Sequence, residues 1–118
     1  MNLRIRKVDG KSIAGECIII DVLKDCDLNE FILFDTTYDE EGVVSNKHRH
    51  SFFFPKINAK KDEIILIYTK EGKDIMPSKD LPFPTPYVLY WGLDTCVWNN
   101  DKDNTLLVHV DDCIGKIV

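Results

Sequence analysis

The sequence predicts an all-β chain, an antiparallel sandwich or barrel. Three observations carry that prediction. Apolar runs follow one another at strand length, turn-forming residues separate them, and no stretch shows a sustained helical period.

Taken in order, "ECIIIDVL" (16–23) is rich in β-branched residues, which fit a pleated surface. "NEFILFD" (29–35) alternates, with Phe31 and Leu33 on one face and Ile32 and Phe34 on the other. "SFFFP" (51–55) should stop at its proline, which has no N–H to donate to a ladder. "DEIILIYT" (62–69) is a further strand, closed by "KEGKD". "PYVLYW" (86–91) and "TCVW" (95–98) follow, then "TLLVHV" (105–110), in which Leu106, Val108 and Val110 alternate. Two stretches do not read as strands. Residues 36–50 are polar and irregular and predict a long surface loop, and 76–86 hold four prolines, which predicts an extended segment unable to pair with itself.

The bulk composition sets the class. A chain of 118 residues is a single domain, 1–118, by length, with 44% hydrophobic and 30% charged residues, as in ordinary globular proteins. Such a chain buries roughly two-thirds of its unfolded surface, enough for a core without staples. The net charge of −5 disfavours generic nucleic-acid binding, because its Lys and Arg are scattered. The four cysteines, Cys17, Cys26, Cys96 and Cys113, include no CxxC pair, so neither a zinc site nor any other cofactor is called for. A disulfide would require export. The amino terminus lacks the apolar core of a signal peptide, and no apolar run reaches membrane-helix length. The expectation is a soluble cytoplasmic protein with free thiols, or a secreted one if a leader has been removed.

Four groups of residues bear on chemistry. The run "NNDKDN" (99–104) offers Asp101 and Asp103 as oxygen ligands, but it lacks the central Gly and distal Glu of a calcium loop. It reads as a polar hairpin connection, since Asn and Asp tolerate left-handed backbone and bond their own main chain. Tyr87, Tyr90, Trp91 and Trp98 form an aromatic group that is either core or a stacking platform for bases or sugars. Trp98 reads as a core plug, whose burial stabilises by roughly 2–3 kcal/mol. In "KHRHSFFF", Lys47, His48, Arg49 and His50 make the densest basic cluster, with His48 and His50 on one face if extended. It lacks a nearby third metal ligand and reads as a solvated basic patch that favours an acidic partner. The carboxylates Asp35, Asp39, Glu40 and Glu41 read as a hydrated loop face, and neither a GxSxG nor a phosphate-binding glycine loop is present.

"YWG" (90–92) followed by "VWNNDKDNTLLV" (97–108) resembles the carboxy-terminal signature of the lamin tail domain family. "NEFILF" (29–34) and "FFFP" followed by "IIL-IYTKEG" resemble further strands of that family in the same order, so the resemblance spans residues 29–110. The family's Gly-Asp turn is "DKDN" here, and its apolar-Ser-Gly-Trp element is replaced by "EEGVVSNKHRH". The resemblance implies an immunoglobulin-like antiparallel β-sandwich with no enzymatic activity of its own. With no coiled-coil heptads, it implies a standalone prokaryotic-type module rather than a filament protein.

The function expected from these features is a non-enzymatic binding or tethering module whose partner is another protein. Alternatives are nucleic-acid binding through Lys47, His48, Arg49 and His50, and carbohydrate or small-ligand binding near Trp91 and Tyr90. The candidate surface therefore comprises the basic cluster and the Tyr90–Trp91 pair.

Overall fold

The computed structural model describes residues 1–9, 15–37, 41–42, 50–77, 85–94, 97–98 and 103–117. Among them are nine strands: β1 (Leu3–Asp9), β2 (Cys17–Val22), β3 (Cys26–Asp27), β4 (Phe31–Thr37), β5 (His50–Phe53), β6 (Asn58–Ala59), β7 (Ile64–Tyr68), β8 (Tyr87–Tyr90) and β9 (Asp103–His109). One short 3-10 turn, Leu28–Glu30, precedes β4.

A four-stranded sheet in the order β1-β2-β7-β8 faces a three-stranded sheet in the order β5-β4-β9, and β3 and β6 form a two-residue ladder at the side. The period-two alternation that made the strands legible also builds the core. The first sheet sends in Ile18, Ile20, Ile65, Ile67 and Leu89, and the second sends in Phe31, Leu33 and Phe52, all in one buried cluster. Burying each such side chain stabilises the fold by about 1.5–3 kcal/mol. The chain is an all-β sandwich.

Pairing is antiparallel throughout the three-stranded sheet, and β7 and β8 run parallel, with Ile65 beside Tyr87 and Tyr68 beside Tyr90. β8 is flanked on its other side by Ile75, which exchanges two backbone hydrogen bonds with Val88 at 2.8 and 2.9 Å.

Several expectations are refined. The amino-terminal stretch forms β1, a full strand that the composition of "LRIRKVD" conceals. Its register shifts at a bulge between Ile5 and Lys7, and Arg4 and Arg6, two apart in the strand, both reach the carboxylate of Asp21. The Arg6 hydrogen bond, more than any other influence, holds the Asp21 carboxyl below the usual carboxylate range. Val97 and Trp98 are buried but lie in a bend rather than a strand, and residues 95–96 lie outside the described residues. In β9, Leu107 packs on the core, whereas Leu106 and Val108 stand opposite Phe34 and Ile32 on the outer face. The expected loop 36–50 is shorter at both ends, since β4 runs to Thr37 and β5 begins at His50. Most of that loop, most of the proline-rich segment and the connection 99–102 lie outside the described residues.

Candidate functional site

Asp35 and His50 are cross-strand partners in the register of β4 and β5. Both project to the inner face, one step beyond the Leu33–Phe52 pair, where the core gives way to the end of the sandwich. The Asp35 side chain is 1% exposed and that of His50 31%, with Nδ1 3.0 Å from Oδ2. Asp35 is thus no hydrated loop carboxylate, because β4 continues through it and the imidazole shields it. Fixing one imidazole nitrogen on a buried carboxylate sets the ring plane and presents the other edge outward.

Trp91 leans on this pair. Its ring meets His50 edge-on at 6.4 Å between centroids and packs on Phe52 at 5.6 Å and Trp98 at 5.8 Å. Its indole N–H donates to the Ser51 carbonyl in β5 at 3.2 Å, while that of Trp98 donates to the Asn104 carbonyl in β9 at 3.3 Å. The two tryptophans therefore tie the segment after β8 to both outer strands of the three-stranded sheet. Gly92, at φ +84, supplies the left-handed backbone that turns the chain immediately after Trp91.

A side chain without any local sequence signal holds the same segment. Glu16, fully buried, accepts from the backbone N–H of Val97 at 2.7 Å and of Trp98 at 3.0 Å, and from the Thr69 hydroxyl at 2.9 Å. Val97 and Trp98 cannot offer these N–H groups to a ladder, which is why "VW" is a bend.

The structure brings His50 and Trp91 together and sends Tyr90 elsewhere. Adjacent residues at a strand end point to opposite faces. Tyr90 stacks on Tyr68 at 5.6 Å, with the Lys70 ammonium 5.4 Å from the Tyr68 centroid. Gly72 lies directly beneath the Tyr90 ring, where an added Cβ would overlap it. Lys47, His48 and Arg49 lie outside the described residues. Tyr87 faces inward, and its hydroxyl donates to Glu63 at 3.1 Å. Burial first, and the Glu63 carboxylate second, push its pKa up to about 12.

Burial raises the pKa of both the Cys17 and Cys26 thiols, which keeps them protonated and unreactive at neutral pH. Among the described residues no three His, Cys, Asp or Glu side chains cluster so as to hold a metal ion, and no helix is long and apolar enough to cross a membrane. What the rim offers chemically is an orientated imidazole beside an indole face, backed by rigid core. No family model matches the chain, and no curated protein or solved structure matches it.

Proposed function

We propose that this chain is a non-enzymatic binding module of the lamin-tail type, and that another protein docks on the rim formed by His50 and Trp91. The observation that carries the reading is their convergence from β5 and from the residue that follows β8: an imidazole anchored on buried Asp35, with an indole edge-on at 6.4 Å. Interfaces draw their energy from aromatic anchors that are already rigid, because little side-chain entropy is lost when the partner arrives. Trp91 is such an anchor, held by Phe52, Trp98 and the Ser51 carbonyl. In sequence, the preceding residues Lys47 and Arg49 add positive charge, which suits a partner with an acidic surface. The resemblance of "YWG" and "VWNN" to the lamin tail signature supports the same reading.

The test is capture on immobilised wild type, on His50→Gln, which keeps a donor to Asp35, and on Trp91→Phe, with melting curves confirming that each folds. A control, Arg4→Ser, alters the opposite sheet. Partners retained by wild type and the control but lost from both rim variants support the proposal. Equal recovery from all four chains overturns it.

A further inference from the structure

Each sheet edge in a soluble β protein is an invitation to pair, and proteins normally block it with charge, a bulge, a covering segment or brevity. In this chain the edges differ sharply. β1 carries Arg4, Arg6 and Lys7 and a bulge. β8 is covered by the Ile75 bridge. β5 is only four residues long. Among the described residues β9 has no bulge and no covering segment, and its charge is confined to its two ends. Its seven residues, "DNTLLVH", contain no Lys, Arg or Pro, and they pair with β4 without interruption from Phe31–His109 to Thr37–Asp103. Among the described residues β4 is its one neighbouring strand.

The ladder also fixes which backbone groups that edge presents. Val110 donates to the Glu30 carbonyl at 2.8 Å, one step beyond the Phe31–His109 pair. Antiparallel ladders alternate, so Val108, Leu106 and Asn104 exchange bonds with β4, while the N–H and C=O groups of Thr105, Leu107 and His109 point away from it.

We propose that the β9 edge joins two copies of this chain, antiparallel about a two-fold axis through Leu106. That register sets Thr105 against Leu107 of the second copy, so outward-facing groups meet outward-facing groups. It also sets Asp103 against His109 of the second copy at both ends, opposite in charge whenever the imidazole is protonated. His109 is already poised there, packed at a tilt on Phe31 at 4.8 Å between ring centroids and 3.1 Å from Glu30. On the axis Leu106, half-buried within one chain, meets its own counterpart at the close spacing of a non-hydrogen-bonded pair. The product is a continuous sheet in the order β5-β4-β9-β9-β4-β5, an isologous dimer. This surface lies on the edge opposite β5 and is separate from the His50–Trp91 rim.

Sedimentation equilibrium over a concentration series tests it, with circular dichroism to confirm folding. Wild type is expected to pass from monomer to dimer. Thr105→Pro removes an outward N–H without costing a β4 bond and should abolish the dimer. Leu106→Lys and Leu106→Asp should each weaken it at least tenfold by setting like charges on the axis, and an equimolar mixture of the two should restore it. That rescue also decides the matter if the proline variant does not fold. A wild type that stays monomeric throughout, as it would if the edge were reserved for an extended segment of another protein, overturns the proposal. So do Leu106 variants that dimerise as wild type does, or a mixture that fails to recover.

Discussion

The carboxylate of Glu16 accepts the backbone N–H of Trp98 at 3.0 Å across 82 positions of sequence. With the Val97 N–H and the Thr69 hydroxyl on its other oxygen, this side chain substitutes for a strand where the chain crosses toward the second sheet. Removing the carboxylate leaves three buried donors without an acceptor, each costing about 1–3 kcal/mol. Glu16→Ala is therefore expected to lose about 3–5 kcal/mol in urea denaturation. Glu16→Gln keeps one acceptor oxygen and should lose roughly half as much. An unchanged midpoint for Glu16→Ala would show that the anchor is ornamental.

The two indoles should report different environments. In Trp91→Phe, which leaves Trp98 as the sole indole, emission should be blue-shifted and resistant to acrylamide, because Trp98 is 9% exposed. In Trp98→Phe the remaining Trp91, on the half-buried rim, should emit further to the red and quench more readily. Trp98→Ala should cost about 3–5 kcal/mol, the range for emptying a buried indole site. Identical quenching of the two single-tryptophan chains would contradict the placement of Trp91 at the rim.

Gly72 is required by the Tyr90 ring rather than by its own backbone angles. Gly72→Ala forces the ring off Tyr68 and should destabilise by about 1–3 kcal/mol, as overpacking does. In a Tyr90→Ala background the same substitution should cost far less. A double-mutant cycle with no coupling would remove the explanation.

Tyr87 makes stability fall at alkaline pH. Its folded pKa, about 12, stands above the unfolded value near 10. A raised pKa means that folding favours the protonated phenol. The contribution is complete below pH 10 and disappears as pH rises toward 12. Chemical denaturation across this window should show a loss that Tyr87→Phe reduces, and phenolate absorbance should show a late-titrating component that the same substitution removes, apart from that of Tyr68, whose pKa burial also raises. Parallel alkaline limbs for the two chains would count against it.

Much of this fold could be read from local pattern. β2, β4, β5, β7 and β8 announce themselves because β-branched and aromatic residues alternate between turn residues and because Pro55 bars β5, which ends at Phe53, from running on. β1 does not, since its bulge breaks the alternation and its arginines make it look like a solvated leader. Leu106 and Val108 alternate as a core face would, yet they line the outer face, while Leu107 goes inward. A strand seven residues long cannot declare which of its two faces is buried until its partner is known.

The site was half legible. His50 and Trp91 were visible as residue types, but their meeting depends on β4 placing Asp35 against His50 and on β5 placing Phe52 against Trp91, which no spacing encodes. Tyr90 could have been separated from Trp91 by strand alternation alone. Glu16 carries no signal at all. A single acidic residue before a β-branched run looks like the end of a turn, and its donors lie 53 to 82 positions away.

The parallel alignment of β7 and β8 bears on how the chain assembles. Two parallel neighbours cannot zip from a tight hairpin, so bringing β8 beside β7 costs more loop-closure entropy than a hairpin does. The β1-β2 and β4-β5 ladders need no such excursion. The β4-β9 ladder closes a longer span still, so the Trp91–Trp98 contact, which hangs from the end of β8, is expected among the long-range pairings that follow the β1-β2 ladder. Indole fluorescence is accordingly expected to follow the closing of those distant pairings rather than the initial collapse.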